Sequence, residues 1–322
     1  MRASVLFGML VCLCMAGPVS AETVDSARAK FEARQPDARA VIETLAKANP
    51  RDPAALVLLG RAQARARQFE AAVKTLEQAV ALAPAMAEAH FRLGEAYVGR
   101  VSEAGMLGKL SIAGKIRGSF QKAVELDPDH HDARLALVQY YAAAPGVAGG
   151  SAEKAAAEAA ELMRRNPARG HMARATILEL AKKPTEALRE YEAALAAEPG
   201  YRTARLMLGI AYQRAERWSE AFALYEGWLA EQPDDPFALF HFGRTAALSG
   251  QRLDEGLAAL QRYLALPLDE SLPRPRCGAP PSRPLPWIPP CSSNCSARAS
   301  TGCPPACAPC TASGARARMP VA

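Results

Sequence analysis

A 34-residue period constrains this chain more than any other feature of its sequence. Residues 53–86 and 202–235 are each one such unit. In the first, Leu56, Leu59-Gly60, Ala72, Leu76, Ala79 and Pro84 stand at fixed offsets. In the second, the same offsets hold Arg205, Leu208-Gly209, Ala221, Tyr225, Trp228 and Pro233, and Tyr212 adds an aromatic three residues after the glycine. A repeat of this length fits two helices and a turn. Two helix backbones approach closely only where side chains are small. Gly60, Gly94, Ala175, Gly209 and Gly243 supply that on the first helix of each pair, and Ala72, Ala187 and Ala221 on the second. Leu59, Leu93, Leu208 and Phe242 fill the space beside them. Pro50, Pro84, Pro128, Pro167, Pro199 and Pro233 stop the second helices, because proline cannot extend one. A helix pair cannot bury its apolar face alone, so neighbours must stack.

Extending the register gives seven units, at about 22–52, 53–86, 87–130, 131–167, 168–201, 202–235 and 236–268. The first is short and is expected to cap the array. The third is some ten residues longer than the others. Its extra residues, VSEAGMLGKLSIAGKIRGS, are expected between the helices, with apolar Met106, Leu107, Leu110 and Ile112 folding over the groove, packing on the convex side or forming a contact surface. The fourth carries a shorter insertion, APGVAGGS, read as a long turn whose glycines relieve backbone strain.

At these positions the sequence resembles the tetratricopeptide repeat (TPR) family, whose unit is a 34-residue helix–turn–helix. The resemblance implies an all-α, right-handed superhelical solenoid of about seven helix pairs. It also implies a concave face, lined by first helices, that binds partners. The family's groove positions fall on Val57, Arg61 and Arg65; on Phe91, Glu95 and Val98; on Leu135 and Gln139; and on Met172, Thr176 and Glu179. Further along they fall on Leu206, Ile210, Gln213 and Arg214, and on Phe237, Phe240 and Arg244. The family's peptide-binding version grips a terminal carboxylate with lysine and asparagine. Here Arg61, Glu95, Gln139, Thr176, Ile210 and Arg244 occupy the key asparagine position, so that clamp is absent. An apolar strip with arginines towards both ends remains, which suits an extended or helical peptide with apolar anchors.

Charge excludes one class of partner. The formal total is +6, but the stretch from Glu22 to Glu270 holds all 33 acidic and 32 of the 39 basic residues. A near-neutral body offers no basic footprint for nucleic acid. Motifs for chemistry are missing too. No two of His90, His130, His131, His171 and His241 have metal-ligand spacing. The Gly-Lys pairs in 108–119 do not match a P-loop, and 22–276 has no cysteine nucleophile. The expectation is a non-enzyme with no catalytic residue, metal or cofactor.

The two ends differ from the body. Arg2 followed by the apolar run Ser4–Gly17 and Val-Ser-Ala reads as a signal peptide cleaved after Ala21, implying a periplasmic or secreted protein with no membrane span after cleavage. Residues 271–322 contain no Asp, Glu or Lys, 12 of the 25 prolines and six of the eight cysteines, and are expected to be disordered. Three disulfides or a zinc site at Cys303, Cys307 and Cys310 are two readings of this tail. The favoured one is a frameshift product, which would leave the last repeat face exposed and prone to self-association. The functional expectation is a cell-envelope scaffold or adaptor that binds protein or peptide in the groove. The alternative is a carrier or enzyme accessory for a glycan or lipid fragment.

Overall fold

The computed structural model describes residues 23–101 and 105–267. Residues 1–21, read as a signal peptide, and the tail 271–322, with its disulfide, zinc and frameshift readings, lie outside them. Every described residue belongs to one compact unit, Met1–Pro273.

Among the described residues the secondary structure is entirely helical. The helices are α1 (Val24–Glu32), α2 (Ala38–Ala48), α3 (Pro53–Arg65), α4 (Phe69–Leu82), α5 (Ala87–Val101), α6 (Met106–Leu126) and α7 (His131–Ala143). After a single 3₁₀ turn, Gly146–Ala148, follow α8 (Ala152–Arg165), α9 (Pro167–Leu180), α10 (Pro184–Ala197), α11 (Arg202–Arg214), α12 (Trp218–Glu231), α13 (Pro236–Ser249) and α14 (Leu253–Ala265). Each helix packs chiefly on its sequence neighbours, and first helices also touch across the pair between them, as α7 does with α9. This is a TPR-like solenoid. Its core is a row of clusters along the chain rather than one centre.

Local chemistry sets the helix ends. The side chains of Asp52, Asn166 and Asp235 accept backbone N–H groups at the starts of α3, α9 and α13, and proline occupies the first helical position each time. Within most pairs the turn is closed by one residue in the left-handed region: Arg34, Arg67, Lys182, Glu216 or Arg252. After the first four of these, the N–H of the next residue reaches back to a carbonyl of the last helical turn, as from Gln68 to Gln63 and from Arg217 to Tyr212. In the 144–151 insertion, Gly149 takes the left-handed conformation at φ 88°, where a side chain would be strained.

The third pair departs from expectation. Residues 106–119 of this stretch do not form a loop between the helices. They add turns to α6, which runs for 21 residues. Leu110, Ala113, Ile116 and Phe120 recur at helical spacing and carry the helix inward. Gly114 and Gly118 sit where a side chain would meet open space, so they cost only their propensity, about 1 kcal/mol each.

Close backbone approach is needed at Gly170, where α9 crosses α8. A Cβ there would collide with the Cα and N of Met163. Gly170→Ala should therefore lower stability by about 1–3 kcal/mol, although alanine is the better helix former by about 1 kcal/mol. Gly227→Ala, in α12 with open space around it, should raise stability by up to about 1 kcal/mol. Urea denaturation of both variants checks the pair; destabilisation by both would contradict this packing.

Candidate functional site

A cavity with a volume of about 920 Å³ lies across the third and fourth pairs. One wall is α5, with Phe91, Glu95, Val98 and Val101. The added turns of α6 form the opposite wall through Lys109, Leu110, Ala113 and Ile116. Leu135, Ala136, Gln139 and Tyr140 of α7 contribute a third side, and the segment Ala144–Ala148 closes one end. Tyr201 and Thr203 approach from the start of α11. The hydroxyl of Tyr140 donates to the carbonyl of Ala148 at 2.5 Å and pins that closing segment in place.

The lining is mainly apolar, and three of its side chains are unusually open to solvent: Val98, Leu110 and Val147 at 51, 50 and 82 % exposure. Single exposed apolar residues are ordinary, but three around one concavity form a patch that water solvates poorly. Polar groups stand around it. Arg92 donates to Glu88 and Glu95, both at 2.7 Å, and lies over the Phe91 ring at 4.7 Å. His130 accepts the Ala133 N–H at Nδ1, which fixes its neutral tautomer, and donates from Nε2 to Glu88 at 3.1 Å. Burial pushes the Glu88 carboxyl up, but hydrogen bonds from His130 and Arg92 and the Arg92 charge outweigh it and hold the group at about 2. Burial likewise pushes the Tyr201 phenol up to about 12.

The groove positions taken from the repeat register divide into those that meet and those that do not. Phe91, Glu95, Val98, Leu135 and Gln139 meet in this cavity. Arg61 and Arg65 instead close on the first pair. Their guanidinium groups lie 5.2 and 3.3 Å from the Phe31 ring centre, Arg61 pairs with Glu32, and Arg65 donates to the Phe31 carbonyl. Val57 and Met172 are buried. Thr176 caps back onto the Met172 carbonyl, and Glu179 binds Arg214 at 2.9 Å. Gln213 is buried and links two repeats: its amide donates to Thr245 and the His241 carbonyl, and its oxygen accepts from Arg244. Leu206 and Phe240 pack on the C-terminal cluster, and Phe237 lies between the guanidinium groups of Arg34 and Arg202. Ile210 is half-buried on α11. Most of these residues join repeats, while Arg61 and Arg65 share a smaller recess with Arg92 and Glu95 beside the cavity.

Ala113, Ile116, Tyr140, Val147 and Tyr201 are lining residues that the register did not single out. A helical period through 110, 113 and 116 was the available signal for the first two. Among the described residues no three His, Cys, Asp or Glu side chains converge to hold a metal ion. No described helix is long and apolar enough to cross a membrane.

Comparison with known proteins agrees with this architecture. Two family profiles, each described as tetratricopeptide repeat, match residues 178–239 and residues 24–72 and 59–104. No curated protein matches the chain. Among solved structures, a thermophilic TPR protein from Thermus thermophilus is 22% identical with TM-score 0.51, covering 58% of this chain and 96% of that one. A tetratricopeptide repeat protein from Parabacteroides merdae is 13% identical with TM-score 0.46, covering 77% and 93%. The human IFIT1 dimer with PPP-AAAA is 20% identical with TM-score 0.47, covering 75% and 53%. The repeats are thus supported as tetratricopeptide repeats, and the Thermus structure shares the fold.

Proposed function

We propose that this chain is a non-enzymatic interaction scaffold that holds an extended or helical polypeptide segment in the cavity between α5, α6 and α7. TPR folds serve generally as protein-interaction scaffolds, which gives the class but not the surface. The surface rests on one observation: Val98, Leu110 and Val147 stand open around an apolar concavity. Covering them releases poorly solvated surface. Glu95, Gln139 and Lys109 at the same site are placed to meet the backbone or polar side chains of a peptide. The second reading, a lipid fragment, is favoured by the volume alone, which lies near the top of the range for small-molecule sites. A location in the cell envelope rests on the apolar run within residues 1–21. N-terminal sequencing of the mature protein tests it: a start at Glu22 agrees, and retention of residues 1–21 on a soluble product does not.

Selection from a displayed random-peptide library, followed by affinity measurement, tests the groove. Leu110→Asp and Val147→Asp alter facing walls at exposed positions that carry little folding energy. Each should weaken a selected peptide tenfold or more, about 1.4 kcal/mol. Leu180→Asp, exposed but outside the cavity, should leave binding unchanged. Equal affinities for all three variants would overturn the proposal. Binding of fatty acid without any selected peptide would favour the second reading.

A further inference from the structure

We propose, building on the groove reading above, that the segment held in the cavity carries a carboxylate beside its apolar anchors, and that Lys109 selects for it. Among the described lining residues the charged ones are Arg92, Glu95, Lys109 and Asp132. All but Lys109 are matched within the chain. Arg92 meets Glu88 and Glu95, each at 2.7 Å, and Asp132 lies 3.6 Å from Arg169. Lys109 is exposed, and its ammonium meets no carboxylate among the described residues. The described lining therefore carries one uncompensated charge, and it is positive.

Folding gives no reason for that lysine. It stands in the first turn of α6, at the positive end of the helix dipole, and that turn has no acidic side chain. Before Glu125 the helix carries Lys109, Lys115, Arg117 and Lys122 and no acid at all. Lys122 meets Glu125, 3.2 Å away on its own helix, and Lys115 lies over the Tyr97 ring at 5.3 Å. The added turns of the third pair thus bring positive charge to one wall of a body that is otherwise close to neutral. Lys109 belongs to a second helix, so it stands apart from the groove positions of the repeat register, which fall on first helices.

The neighbouring residue decides which ligand suits this charge. Leu110 is half-exposed and is one of the apolar side chains that a bound segment covers. Covering it takes water from the adjacent ammonium, and a charge that loses water without gaining a partner is costly. A ligand carboxylate offsets that cost, and between apolar walls the pair is stronger than on open surface. A ligand lysine or arginine at the same place adds repulsion to the desolvation. An acidic side chain and the free end of a chain supply the same carboxylate chemistry.

Selection from a displayed random-peptide library, run in parallel against the full chain and its Lys109→Glu variant, tests the preference. Peptides selected by the unmodified chain should be enriched in Asp or Glu next to their apolar residues. Those selected by the variant should lose the acid and gain Lys or Arg. A synthetic peptide from the first pool should bind Lys109→Gln about threefold more weakly, the loss of a partly exposed ion pair, and Lys109→Glu about tenfold more weakly. Converting its acidic side chain to the amide, or amidating its C-terminus, identifies which carboxylate Lys109 meets; no effect of either would overturn the proposal. Lys115→Glu makes the same change of charge outside the cavity and should leave pools and affinities unchanged. Lys109 is exposed, and unchanged circular dichroism confirms the fold of its variants. Pools of the same composition from both proteins, with Leu110→Asp still weakening binding, would overturn the charge preference and leave the groove standing. An equal effect of Lys115→Glu would also overturn it. No selected peptide from either protein would overturn both.

Discussion

Replacing Trp228 by alanine is expected to cost about 3–5 kcal/mol of folding stability, the range for truncating a buried tryptophan. Trp228 lies in α12, 2 % exposed, at the centre of the C-terminal cluster with Phe222, Tyr225, Leu239 and Phe242. Its ring also supports Arg202 and Arg205, whose guanidinium carbons lie 5.2 and 5.5 Å from the ring centre. Those arginines bind the next elements: Arg202 pairs with Asp235, the buried cap of α13, and Arg205 pairs with Glu231 and donates to the Pro199 carbonyl. Truncation therefore opens a cavity and loosens two arginines that join repeats. Chemical denaturation should show the loss in the transition of the last pairs first, because a solenoid transmits stability only between neighbours. A change below about 1 kcal/mol would mean that α12 and α13 are not packed as described.

Acid should weaken the same region through His241. This ring is buried on α13, stacked on Tyr225 at 5.8 Å and edge-on to Phe240. Burial, with the Arg244 charge adding to it, pushes its pKa down to about 4 from the usual value near 6.5. Above the ordinary value the ring is neutral in both states, so it contributes no pH dependence. Between about 6.5 and 4 the unfolded chain takes up a proton that the folded chain resists, so stability falls as pH falls. At about 1.4 kcal/mol per unit, the loss by pH 4 is of the order of 2–3 kcal/mol. His241→Phe keeps an aromatic ring and removes the titration. Denaturant midpoints measured from pH 7 to pH 4 should converge on a flatter profile for the variant. Identical profiles for the two proteins would show that His241 is protonated without penalty.

Part of this architecture was legible from residue spacing alone. Gly60 with Leu76, and Gly209 with Tyr225, are sixteen residues apart because one helix, a short turn and half a helix separate facing positions. The last pair is different: Gly243 meets Leu260, one residue further on. Its first helix, α13, runs one residue further than α11, and its three-residue turn has both Gly250 and Arg252 in the left-handed region. A strict 34-residue period does not contain that shift, so it misassigns which face of α14 is open. Arg67, Lys182 and Glu216 close turns at positive φ, where glycine would have been the readable signal. The added turns of α6 were obscured by Gly108, Gly114 and Gly118, which read as loop residues although the helix contains all three and has open space at the last two.

The groove was legible only in part, for a related reason. Position along a first helix tells which side chains point to one side, but not how deeply the neighbouring helix covers them. Phe91, Leu135 and Gln139 line the cavity walled by the long α6, although Phe91 and Leu135 are themselves buried and only Gln139 stands exposed. Met172 and Gln213 occupy comparable positions and are covered by the next repeat. The difference arises from the insertion in another unit, which no periodicity within their own repeats contains.

Hydrogen–deuterium exchange of the full chain, with and without a peptide selected against it, tests the central claim most directly. The account predicts slowed exchange in the C-terminal half of α5, in residues 108–116 of α6, and in residues 139–148 at the end of α7 and beyond, with α3 and α13 unchanged. Protection that leaves those three segments untouched and falls instead on α3, α11 or α13 would contradict it, and would move the binding surface off the cavity.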